Sequence, residues 1–130
     1  MKKLLLILIY LFVSFEVKSD DHGQWILVTK GKDYTVWYIT DIKKIENEIH
    51  YWGLSNLTNG KSDKFKQKIN CKTEEMTILQ WEFYSEHFGQ GEILEMMYYD
   101  QIKKDGRSVR YIDNDNTVDR SYYNYVCKQQ

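Results

Sequence analysis

The sequence predicts an α+β domain: an antiparallel sheet of about six strands with a C-terminal helix tied to one face by a disulfide. Three observations predict it. Most of the chain beyond residue 19 alternates apolar and polar side chains at period two, the pattern of a strand with one buried face. The last segment changes period, with Val118, Tyr122, Tyr125 and Val126 spaced i, i+4, i+7 and i+8 as one stripe of a helix. Cysteine occurs twice, at Cys71 and Cys127.

The 130 residues suit one domain. With 42% hydrophobic and 28% charged residues the chain has enough apolar surface for a core, which excludes a disordered tail. A net charge of -1 argues against a dedicated nucleic-acid binder, which shows a basic excess.

The first residues do not belong to the fold. Met1, Lys2 and Lys3 make a basic start, Leu4 to Val13 an apolar run, and Ser14 to Ser19 a more polar stretch. This is the layout of a secretory signal, with cleavage expected after Ser19, so residues 1–19 are read as signal peptide and 20–130 as the domain. An uncleaved anchor is the other reading, but the run has about half of the ~20 residues a spanning helix needs. No cysteine lies at the cleavage point, so no lipid anchor is expected and a bacterial product would be periplasmic or secreted.

In an oxidising compartment Cys71 and Cys127 should pair. The bridge closes a loop of about 57 residues, for which chain entropy gives about 4 kcal/mol. Free buried thiols are the alternative. Zinc is not indicated, since neither cysteine has a histidine at ligand spacing.

Taken in order, Gln24 to Lys30 reads as a strand and Gly31-Lys32-Asp33 as a turn. Tyr34 to Thr40 is a second strand, rich in aromatic and β-branched residues, and Asp41 to Lys44 a turn after it. Glu48 to Leu57 is a third strand, ended by Asn59-Gly60. Lys64 to Lys72 alternates clearly, with Phe65, Gln67, Ile69 and Cys71 inward and lysines outward, as an edge strand protected by charge would. Glu75 to Glu86 follows, with Leu79, Trp81 and Phe83 on one face, then a glycine turn at His87 to Gly91. Glu92 to Ile102 is the next strand, closed by Lys104-Asp105-Gly106, and Ser108 to Ile112 a short extended piece. Asn116 or Thr117 caps the final helix, with Asp119 at the positive end of its dipole.

No cofactor, metal or catalytic set is expected. His22, His50 and His87 have no sequence neighbours that make an acid–base arrangement. His87 with Glu86 and Glu92 is a chance-level metal cluster, and a cleft joining His50 or His87 to a carboxylate would be needed for a hydrolase. Asp113 to Thr117 has the alternating oxygens of a calcium loop, but Val118 and Asn124 stand where an EF-hand needs Gly and Glu, which leaves an Asx-rich turn. Asn56-Leu57-Thr58 matches a glycosylation sequon. The candidate binding surface is the lysine row Lys64, Lys66, Lys68 and Lys72, a line of positive charge suited to sulfated glycans, acidic proteins or phospholipid headgroups.

The order of several features resembles the bacterial surface-adhesin protein E family. They are Trp25, the strand Val36-Trp37-Tyr38-Ile39-Thr40-Asp41, the pair Lys43-Lys44 and the strand Ile49-His50-Tyr51-Trp52-Gly53-Leu54. Ser62, Cys71, Tyr84, Gly89-Gln90-Gly91 and Cys127 complete the pattern. The resemblance implies a sheet whose concave face carries a disulfide-pinned helix, and a non-enzymatic binding protein. Its partners would be host extracellular-matrix or plasma proteins, and it would form a homodimer. Two departures stand out: the missing lipid-attachment cysteine, and an Asp113-Asn114-Asp115-Asn116 segment lacking Pro and Trp. The alternative is a periplasmic structural or accessory protein with no host ligand.

Overall fold

The computed structural model describes residues 24–128, and the alternating segments within them join into a continuous antiparallel sheet. Strands β1 (Ile26–Lys30), β2 (Val36–Ile45), β3 (Glu48–Asn56), β4 (Ser62–Asn70), β5 (Glu75–Tyr84) and β6 (Ile93–Tyr98) lie side by side in chain order. The extended piece at Ser108 to Ile112 forms β7 (Val109–Tyr111), which pairs with the half of β5 that β6 leaves open. The signal segment, its cleavage point and His22 lie outside the described residues.

Three local expectations are corrected. Asp41 to Lys44 is not a turn but part of β2. Asp41 takes a left-handed φ of 53° and the pairing with β3 slips between Thr40 and Lys43, so the turn-forming residues make a bulge inside a long strand. A second slip leaves Leu79 unpaired between Ile78, opposite Gln67, and Gln80, opposite Lys66. Met76 and Ile78 therefore face the core before the slip and Trp81 and Phe83 share that face after it, while Leu79 does not.

The third correction falls at Glu92 to Ile102, where β6 ends at Tyr98 and the chain turns into α1 (Tyr99–Lys104). Ile102, 0% exposed, packs on Ile78 and Met97, a burial that an extended chain would forfeit. Asp100 in the first turn and Lys103 and Lys104 in the last suit the helix dipole. Gly106, at φ 74°, donates to the Lys103 carbonyl and Arg107 to that of Ile102, the paired bonds of a Schellman end.

The tail behaves as its periodicity predicts. Helix α2 (Thr117–Tyr123) starts at Asn116, whose side chain accepts from the Asp119 amide, and continues as one wider turn over Asn124–Lys128. Tyr122 lies flat on Tyr51, ring centroids 5.4 Å apart, and meets Trp37 and Phe65 edge-on. Its hydroxyl donates to the Tyr38 carbonyl at 2.6 Å, so the ring is buried with its polar end satisfied. Ile39, Ile49, Ile69 and Val126 fill the same layer, each contributing about 1.5–3 kcal/mol of burial. Gly53 makes room for it: a Cβ there would lie 1.9 Å from the Phe65 ring. The Cys71–Cys127 disulfide, Cα atoms 5.6 Å apart, fastens the end of the helix to the turn after β4.

Candidate functional site

The sheet has a helix face, covered by α1 and α2, and an open face. The predicted lysine row begins on the open face, but not as a charged edge: β4 lies between β3 and β5. Lys64 is 6% exposed, opposite Glu82, with its ammonium 5.1 Å from the Tyr84 ring centre. The short helical turn His87–Gly89 folds over this end of the face. Phe88 N–H donates to Asn56 Oδ1 at 2.8 Å, His87 Nε2 to the Leu57 carbonyl at 2.7 Å, and Gly89 N–H to Ser62 Oγ at 2.9 Å. Asn56 is thus buried and bonded, which overturns the glycosylation reading. Lys68 is paired with Glu48 at 2.9 Å, and Lys72 lies in the turn beyond the strand. The four lysines therefore do not form one exposed line.

What the open face does gather is a smaller patch. Half-buried Trp52 stands opposite Lys66 on one side and Thr40 on the other, and His50 stands opposite Lys43 and Lys68. A shallow cleft runs between Lys43, His50, Trp52, Lys66 and Asp41. His50 and Asp41 both line it, with no serine, threonine or cysteine among the other lining residues. Among the described residues no three histidine, cysteine or carboxylate side chains gather to hold a metal, and the His87 ring is bonded to the Leu57 carbonyl.

The helix face holds a feature that periodicity did not reveal. Between α2, β7 and the sheet is a cavity of about 410 Å³. Trp37, Phe65, Trp81 and Tyr122 supply its aromatic wall, and Asp63, Arg110 and Asp119 its charges. Asp63 is 7% exposed; it accepts from Trp81 Nε1 at 2.7 Å and from the Ser55 hydroxyl. Burial pushes its carboxyl up to about 6, against the lowering effect of those hydrogen bonds. Arg110 reaches Asp119 with two bonds, Nε at 2.6 Å and Nη2 at 2.7 Å, and Asn116 Nδ2 adds a third donor at 3.2 Å. Burial alone would pull the Arg110 guanidinium down, but the Asp119 carboxylate holds it above its usual value. Burial likewise raises the hydroxyls of Tyr51 and Tyr122 well above the usual phenol value, so both remain neutral.

One signal of the cavity was present in the sequence. Asp63 shares the parity of Phe65, Gln67 and Ile69, so the alternation already aimed a carboxylate inward. Its partners come from 8 and 18 residues away, a distance that no local pattern reports.

The fold defines a class: a small α+β domain in which a disulfide clasps a terminal helix across an antiparallel sheet. The chain belongs to the surface-adhesin protein E family, whose pattern matches residues 25–128. Two crystal structures of Haemophilus influenzae protein E share the fold. Crystal form II superposes with a TM-score of 0.59 at 17% identity, over 84% of this chain and 91% of that one. The other gives a TM-score of 0.56 at 17% identity, over 84% and 87%. No curated protein matches.

Proposed function

We propose that the chain is a non-enzymatic, exported binding protein that engages protein partners through the open face of its sheet, around Trp52. The observation that carries this reading is the patch itself. An amphipathic indole is flanked by Lys66, Lys43 and His50, and both described helices pack on the opposite face. A central indole is the kind of anchor that concentrates binding energy at an interface, and the lysines around it would steer an acidic partner toward it. Membership of the adhesin family supports the class of function, and the leader supports export. Host extracellular-matrix or plasma proteins with acidic surfaces are the partners that the charge fits.

Surface plasmon resonance of the oxidised, leader-free chain on laminin, vitronectin and plasminogen tests the reading. The expected result is binding that weakens with salt and falls at least about tenfold in a Trp52→Ala, Lys66→Glu variant. No binding above a scrambled-charge control contradicts it. Fractionation that confines the protein to the periplasm would point instead to an accessory protein with no host ligand.

A further inference from the structure

We propose that the cavity between α2 and the sheet binds a small organic cation, with Asp63 as its counter-charge and the rings of Trp37, Phe65, Trp81 and Tyr122 as its walls. This site lies on the face opposite the Trp52 patch and stands independently of the adhesin reading.

Four observations carry it. The volume, about 410 Å³, falls within the range of small-molecule pockets. Its wall is aromatic: Trp37, Phe65 and Tyr122 are in mutual ring contact with centroids 5.9 to 6.4 Å apart, and Trp81, stacked on Phe83 with Arg107 over its ring, pairs in register with Phe65 across β4 and β5 and adds its edge. Aromatic faces present negative charge and attract ammonium groups most strongly where water is excluded. The charges that line the space do not cancel. Arg110 is committed to Asp119 by two bonds, which leaves Asp63 as the unmatched carboxylate.

The fourth observation concerns the capacity of that carboxylate. Asp63 already accepts from Trp81 Nε1 and Ser55 Oγ, but a carboxylate offers about four acceptor positions, so a cation can approach without breaking either bond. An anion would face the same carboxylate with its one nearby guanidinium already neutralised. A neutral apolar guest would leave the carboxylate buried and uncompensated.

Protonation of Asp63 should gate the site. The groups around it are Ser55 from β3, Trp81 from β5, Arg110 from β7, and Asp119 and Tyr122 from α2; among the described residues no histidine lines the cavity. A bound cation favours the ionised carboxylate, so affinity should rise with pH through the region near 6.

Titration calorimetry of the oxidised, leader-free chain with choline, and with its neutral isostere carrying a tert-butyl group in place of trimethylammonium, tests the proposal. Choline is expected to bind, the isostere to bind at least about tenfold more weakly, and choline affinity to fall about tenfold between about pH 7.5 and pH 5. Asp63→Asn, checked for folding by near-UV circular dichroism, is expected to lose the pH dependence together with most of the affinity. Equal binding of the two ligands, choline affinity that ignores pH, or no choline binding would overturn the site. The isostere comparison uses the unaltered chain and decides the matter even if the variant does not fold.

Discussion

The indole N–H of Trp81 donates to Asp63 Oδ2 at 2.7 Å, joining adjacent strands at a carboxylate that water scarcely reaches. The bond orients the acid, but burial outweighs it and the carboxyl holds its proton up to about pH 6. Between about pH 4 and 6 the folded chain therefore keeps a proton that the unfolded chain releases. Asp63 then destabilises the fold progressively as pH rises through that window and by a constant amount above it, about 3 kcal/mol for a shift of this size. Urea unfolding of the wild type and Asp63→Asn at both ends of the window isolates this contribution. The wild type should lose stability relative to the variant as pH rises, and a constant difference would contradict the buried-acid reading.

Arg110 and Asp119 form the other charged contact of the cavity, unevenly buried, with the carboxylate 5% exposed and the guanidinium 40%. Asp119→Ala removes the carboxylate from a site that also sets the start of α2, and should cost about 3 kcal/mol or more. Removing both partners, as Arg110→Met with Asp119→Leu, should recover much of that loss, because no unpaired charge is then left behind. A double variant no more stable than Asp119→Ala would show that the helix cap, not the ion pair, dominates.

The Cys71–Cys127 bridge spans 56 positions of the chain. Replacing both cysteines with serine should lower the unfolding free energy by about 4 kcal/mol, with the helix end, Asn124–Lys128, losing amide protection first. Hydrogen exchange on the double variant checks both the size and the place of the effect. Protection lost uniformly across the sheet would mean that the clasp supports more than the helix.

Strands with a single inward parity, such as β3 and β4, were legible because every second residue meets the same core. The tail helix was legible from its four-residue stripe, and the bridge from the count of two cysteines. The bulges were not. At Asp41 and Leu79 one extra residue reverses the alternation, and the polar or apolar character of that residue does not announce it. Helix α1 is six residues long, too short for periodicity to separate from a strand end, and it forms because Ile102 has Ile78 and Met97 to pack on. The lysine row kept its spacing but lost Lys64 to burial, since the His87–Gly89 turn, 23 residues further along the chain, folds back over that residue. The cavity depends on residues from β2, β4, β5, β7 and α2, and only the inward parity of Asp63 pointed toward it.

The clasped helix, the cavity beneath it and the proposed binding role would all follow from export and oxidation of the chain. Intact mass spectrometry of native protein from the producing cell's envelope or medium tests it most directly. The expected species begins at Asp20 and contains no free thiol, its mass rising by two hydrogens on reduction. A chain that still begins at Met1, recovered from the cytoplasm with Cys71 and Cys127 both reduced, would contradict it.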